Sequence, residues 1–123
     1  MRIENIKFKA KRLDNGEWIE GDLIHKETYV CIGYLSSEIH NITRVCRVDP
    51  STVCQFTGLK DCKGNEIFEH DLVHFIGHKP IGEVIWSEEN YAFIVASGNE
   101  PLYWLSEVLE IGKIERVGNK FDK

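Results

Sequence analysis

Ile6-Lys7-Phe8-Lys9-Ala10-Lys11, then Asp14-Asn15-Gly16, then Glu17-Trp18-Ile19-Glu20-Gly21-Asp22-Leu23-Ile24 is the stretch that decides the fold class. The first run alternates apolar and amine side chains without a break, which on extended backbone puts each set on its own side of a strand. Asp14-Asn15-Gly16 carries the chemistry of a tight reversal, and the third run resumes extended structure. The chain therefore opens as a β-hairpin.

Outward from there the pattern persists. Residues 28–35 and Ile42–Val48 are rich in β-branched and aromatic side chains, with Ser36–Asn41 expected as the loop between them. Asp49-Pro50-Ser51-Thr52-Val53 is a helix start, since Asp49 can cap free amides and Pro50 sits where no donor is missed; Gly58 is expected to stop it after one turn. Beyond the polar turn Lys60–Asn65, alternation predicts one strand over Ile67–Ile76, broken by Gly77–Pro80. Gly82–Trp86 and Tyr91–Ala96 flank the polar tip Ser87-Glu88-Glu89-Asn90 as a hairpin. Ser106-Glu107-Val108-Leu109 suits either a helical turn or a strand start, and Ile111–Val117 alternates again. The expected fold is mainly β, with small antiparallel sheets or a partly open barrel and one short helical turn near Asp49–Val53. Phe8, Trp18, Phe68 and Trp86 are expected inside, and Trp86, Tyr91, Phe93 and Trp104 are read as core, not as a binding cage.

Glu17–Ile24 also aligns without gaps on Glu66-Ile67-Phe68-Glu69-His70-Asp71-Leu72-Val73. In both, a turn is followed by two apolar residues, an acid, a kink and Asp-Leu-Val or Asp-Leu-Ile. Small β-barrels steer strands round sheet corners in this way, so two related corners are expected.

At 123 residues, 42% apolar and 28% charged, the chain suits one globular domain, divisible into β subdomains 1–48 and 49–123. No apolar run approaches the ~18 residues of a membrane span, and Met1–Ala10 lacks a signal-peptide core, so no membrane partner and a cytoplasmic location are expected. Cys31, Cys46, Cys54 and Cys62 are too irregularly spaced for a zinc or redox motif and are read as free, mostly buried thiols. The net charge of −5 disfavours indiscriminate phosphate binding.

Chemistry-bearing groupings are few. Glu20/Asp22 and Glu69/Asp71 are i,i+2 carboxylate pairs that share a face on a strand, but Asp beside Gly21 or His70 more often closes an Asx-type turn. His70, His74 and His78 recur every fourth residue, yet Gly77 and Pro80 oppose the helix that would stack them. No phosphate loop, nucleophile elbow or zinc-protease helix is present, so no catalytic residue, metal ligand or cofactor is assigned. Lys7, Lys9, Lys11 and Arg12, with Arg44 and Arg47, are the candidate nucleic-acid contacts, with Trp18, Tyr29 and Tyr34 available to stack bases.

Gln55-Phe56-Thr57-Gly58-Leu59-Lys60-Asp61, followed by Gly64-Asn65-Glu66-Ile67-Phe68-Glu69-His70-Asp71-Leu72-Val73, closely resembles the core of the YopX-like family of phage and prophage proteins. Ile6–Ala10, Gly82–Trp86 and Glu107–Ile114 extend the resemblance over nearly the whole chain. It implies a largely β fold and work inside a bacterial cell, and it implies no activity. His70 stands where the family typically has glycine, which reads as a backbone tolerant of a side chain; Cys62 stands where it typically has a polar residue.

The leading expectation is a non-catalytic interaction module, an accessory protein binding an unidentified host or phage protein. The alternative is a small nucleic-acid-binding β-barrel using the six basic residues. A metal-dependent hydrolytic enzyme built on Glu69, His70, Asp71 and His74 ranks last.

Overall fold

The computed structural model describes residues 2–35, 42–76, 82–97, 100–111 and 113–122. The backbone divides into two compact units, Met1–Phe56 and Thr57–Lys123. The expected loop Ser36–Asn41 and the expected break Gly77–Pro80, with His78, lie outside the described residues.

In the first unit, after a 3-10 turn at Ile3–Asn5, come strands β1 (Phe8–Lys11), β2 (Trp18–His25), β3 (Val30–Leu35) and β4 (Thr43–Val48). They form an antiparallel meander, and the start of β5 (Cys54–Lys60) pairs with the other side of β1, giving the order β4-β3-β2-β1-β5. The Asp14-Asn15-Gly16 reversal forms as its sequence predicts, with the Arg12 amide donating to the Glu17 carbonyl at 2.9 Å and Gly16 at φ 73°. One corner of the meander curls back on the other at a single bridge. Arg12 bridges to Val48, beside bonds from the Leu13 amide to the Arg47 carbonyl (3.2 Å) and from the Asp49 amide to the Lys11 carbonyl (2.8 Å). The result is a partly open barrel around Ala10, Val30, Ile32 and Val48, with Phe8, Ile19, Leu23 and Val53 packed against them.

The single helical turn is present as a 3-10 turn, Pro50–Thr52, whose Asp49 Oδ1 accepts from the Ser51 amide at 3.0 Å. It does not run to Gly58. The Val53 amide closes on the Pro50 carbonyl, Val53 is already extended, and Gly58 lies inside β5 at φ 84°. That glycine makes a kink within a strand, a conformation open to a residue without Cβ. The Thr57 hydroxyl spans the kink, donating to the Ile67 carbonyl at 2.7 Å and accepting from the Leu59 amide at 3.2 Å.

The second unit holds β6 (Glu66–Phe68), which pairs with β5, then β7 (Asp71–Phe75), β8 (Gly82–Ser87), β9 (Ala92–Ser97), β10 (Glu100–Trp104), helix α1 (Leu105–Ile111) and β11 (Ile114–Asn119). The last five strands form an antiparallel sheet in the order β10-β9-β8-β7-β11. Its core is Ile67, Val73, Val84, Val95, Leu105, Val108 and Ile114. Helix α1 resolves the ambiguity at Ser106–Leu109: Leu105, Val108 and Leu109 are spaced to reach one face, and Ser106, Glu107 and Glu110 are exposed. Strand β10 is not evident in the sequence because Pro101 argues against a strand. It forms through register with β9, across an irregularity between Pro101 and Tyr103.

The single strand predicted over Ile67–Ile76 is two strands, β6 and β7. His70 separates them at φ 70°, a left-handed conformation that ends a ladder. The internal echo thereby gains a concrete meaning. Residues 18–21 of β2 pair with β1 and residues 22–25 with β3, so the chain changes partner at Gly21. At the equivalent His70 it passes from β6, beside β5, to β7, between β8 and β11. Both copies mark corners, one bent through glycine and one turned through a left-handed residue.

Candidate functional site

The specific central motif reads, in three dimensions, as a set of inward-facing anchors. Asp61 is buried and accepts at Oδ1 from the Lys63 amide (2.9 Å) and the Asn65 amide (2.8 Å). Its Oδ2 accepts from Asn65 Nδ2 (3.1 Å) and from the Arg116 amide (2.8 Å), fastening the 61–65 turn to β11. Gly64 completes the turn at φ 86°. Burial pushes the Asp61 carboxyl up, but these hydrogen bonds, led by the Arg116 amide, outweigh it and hold the group below the usual carboxylate range. A folded pKa below the unfolded value of about 3.9 gives stability that is fully present above about pH 4 and is lost as pH falls toward the folded value. Asp61→Asn is therefore expected to flatten the acid limb of a Tm-versus-pH curve below about pH 4. An unchanged limb would place the acid sensitivity elsewhere.

Asp71 is fully buried and accepts from the Phe68 amide (2.7 Å), Asn119 Nδ2 (2.9 Å) and Arg116 Nε (3.0 Å). It is the clamp of the β6–β7 corner.

Of the remaining members of the acid and histidine set, Glu69 Oε2 lies 4.0 Å from His70 Nε2, while His70 and His74 turn to different strands. His70 Nδ1 lies 2.8 Å from Glu83 Oε2 on β8, whereas His74 Nε2 lies 3.0 Å from Glu115 Oε1 on β11. Glu115 also pairs with Lys63, and that hydrogen bond, seconded by His74, holds its carboxyl below the usual range. Among the described residues no group of three His, Cys, Asp or Glu side chains could hold a metal ion. Asp71, placed by the enzyme reading in a reactive group, is enclosed and hydrogen-bonded on all sides the structure describes.

The six basic residues are only partly brought together. Lys9 and Lys11 share a face of β1, where the register sets Lys9 opposite Glu20 and Lys11 opposite Trp18, and Lys7 stands one residue ahead of the strand. Lys7 Nζ lies 3.2 Å from Glu20 Oε1, and the Lys9 and Lys11 ammonium groups stand 4.7 and 5.3 Å from the Trp18 ring centroid. Lys9 is only 8% exposed. Arg44 and Arg47 are three apart on β4 and so point to opposite faces, Arg44 opposite Tyr34 and Arg47 opposite Cys31. The Arg47 guanidinium lies 4.3 Å from the Tyr29 ring centroid. Arg12 is held by Asp14 through Nε at 2.9 Å and Nη2 at 2.8 Å, which lifts the guanidinium further above its ordinary value and holds the Asp14 carboxyl below its own. Arg12, Asp14, Tyr34, Cys46 and Arg47 are among the walls of a shallow hollow of about 510 Å³. Burial pushes the Cys46 thiol up, away from the thiolate a nucleophile needs. No disulfide joins the cysteines: Cys31, Cys46 and Cys54 are buried, and Cys62 is exposed.

The aromatic residues read as core are the clearest departure from expectation. Tyr91 is 78% exposed, Trp104 49% and Trp86 40%, whereas Phe93 is half-buried and meets the Trp86 ring edge-on at 5.1 Å. Phe68 is buried, and Phe8 and Trp18 are half-buried. Trp86 and Tyr91 lie at the hairpin bend and Trp104 ends an outer strand, so all three sit where the sheet stops covering its own side chains.

A family model described as YopX protein matches residues 7–123. The chain belongs to the YopX family. Among curated proteins none matches it significantly. Within the matched region Thr57, Gly58, Asp61, Gly64 and Asp71 hold the kink, the turn and the corner just described. The backbone corrects the reading of position 70: at φ 70° His70 occupies a left-handed conformation that resists a side chain, not one indifferent to it. Among the described residues of this YopX chain no helix is long and apolar enough to cross a membrane.

Proposed function

We propose that this YopX-family chain is a non-catalytic interaction module, an accessory protein of a phage or prophage that binds a host or phage protein in the bacterial cytoplasm. One contrast carries the reading. Thr57, Asp61 and Asp71 of the central motif are buried and hydrogen-bonded, while the large aromatic side chains Trp86, Tyr91 and Trp104 of the second unit are exposed. Polar groups held in this way position backbone and leave little for chemistry, whereas exposed Trp and Tyr are the side chains that most often dominate protein interfaces. The nucleic-acid reading ranks second. Lys9 and Lys11 share a face with Trp18, but Glu20 already engages Lys7 and the Trp18 ring engages the other two.

Retention of a specific protein from bacterial lysate on the immobilised full chain, unaffected by nuclease, is the expected result. Retained material that nuclease removes would favour the nucleic-acid reading, and repeated recovery of nothing specific would end both.

A further inference from the structure

We infer that the tip of the β8–β9 hairpin is the contact point and that it receives an arginine-bearing, cationic segment of the partner protein. The inference rests on the interaction-module reading and adds to it a place and a chemistry.

The first observation is conformational. Tyr91, the last residue before β9, adopts φ 49°. Left-handed positions in hairpin loops favour glycine or asparagine, and a tyrosine there is disfavoured by its own Cβ. Burial does not offset this, because the residue is 78% exposed. A bulky ring held in an unfavourable backbone and packed against little is best explained by something outside the fold. The loop beneath it is braced, with Ser87 Oγ accepting from the Asn90 amide (3.3 Å) and from Asn90 Nδ2 (3.2 Å).

The second observation is chemical. Trp86 is 40% exposed, and its ring is already oriented by its edge-on contact with Phe93, which reduces the ordering needed on binding. In the loop sequence between Trp86 and Tyr91 come Glu88 and Glu89, both exposed, and among the described residues no cation pairs with either. In the first unit the comparable rings carry the chain's own cations: Trp18 has Lys9 and Lys11, and Tyr29 has Arg47. Among the described residues no cation lies over Trp86 or Tyr91.

Exposed rings and carboxylates carried on one short hairpin end suit a guanidinium, which can stack on a ring and donate to a carboxylate. The same carboxylates repel phosphate, which sets nucleic acid apart as an occupant.

The test uses the full chain and a short Arg-Gly repeat peptide as probe, followed by NMR, with Glu-Gly repeats and a single-stranded oligonucleotide as comparisons. The Arg-Gly peptide is expected to shift the Trp86 indole and the amides of residues 86–92, with no such shift from the other two. Glu88→Gln/Glu89→Gln and Tyr91→Gly are each expected to weaken binding about tenfold. Tyr91→Gly should also melt a few degrees higher than the parent, as only relief of backbone strain would produce. Glu107→Gln/Glu110→Gln removes the same charge from α1 and should leave affinity unchanged.

Shifts scattered over the molecule, equal loss from the α1 variant, a lower melting temperature for Tyr91→Gly, or oligonucleotide binding at the tip would each overturn the inference. If the tip variants still retain the lysate partner, the module reading stands and the tip assignment falls. If the parent retains no partner yet binds the peptide at the tip, the tip assignment stands and the accessory-protein reading falls.

Discussion

Asp71→Ala is expected to lower the free energy of unfolding by about 3–5 kcal/mol, the range for removing one partner of a buried, hydrogen-bonded ion pair. Three donors converge on this carboxylate, from the Phe68 backbone, Asn119 and Arg116, and the residue has no exposed surface. Alanine removes the acceptor of the Phe68 amide bond and of one Asn119 side-chain bond, and it strips the Arg116 guanidinium of its counter-charge. Domains of this size are stable by about 5–15 kcal/mol in total, so the variant retains a narrow margin at best. Asp71→Asn, which keeps one acceptor oxygen and the side-chain volume, should fall between the two. Urea titration followed by tryptophan fluorescence would rank them. An Asp71→Ala chain melting within about 2 °C of the parent would show that the corner is held some other way.

That clamp marks how far the sequence could be read. Period-two alternation located β1, β-branched and aromatic composition located β3 and β4, and turn residues flanked by extended runs located β2 and the hairpin now seen as β8 and β9, because each signal lies within a few consecutive residues. Asp49 and Pro50 located the helical turn through local capping chemistry alone. The Glu69/Asp71 pair was visible, and the Asx-type reading anticipated that Asp71 would serve the backbone. Its other partners, Asn119 and Arg116, lie 48 and 45 positions further along, at a separation no local rule senses. Aromatic exposure failed for a related reason. Composition predicts that Trp and Tyr are covered on average, but Tyr91 and Trp104 stand at a bend and on an outer strand, and sheet order is not written in any short window. The six basic residues illustrate both sides: the lysines on one strand share a face as alternation requires, whereas Arg44 and Arg47 part because three residues separate them on a strand.

The two echo positions should respond unequally to exchange of their side chains, although eight aligned residues make them look equivalent. At Gly21 an added Cβ would lie 2.0 Å from the Gly33 carbonyl oxygen and 3.0 Å from Ile32 Cγ2. The first obstacle is backbone of the neighbouring strand, so it cannot rotate aside, and β2 and β3 must separate at the point where β2 changes partner. Gly21→Ala is therefore expected to cost about 3 kcal/mol, the upper end of the range for overpacking. At His70 the constraint is φ 70° in place of space, and the present side chain already bears it. His70→Gly relieves a left-handed strain of roughly 1–2 kcal/mol, loses the half-buried contact with Glu83, and adds freedom to the unfolded chain worth about 0.5–1 kcal/mol. These terms nearly cancel, leaving that variant within about 1 kcal/mol of the parent. Chemical denaturation of both single variants would measure the asymmetry. Equal losses at the two sites would mean that the corners are built alike, with glycine at position 21 serving its dihedral freedom instead of the approach of β3.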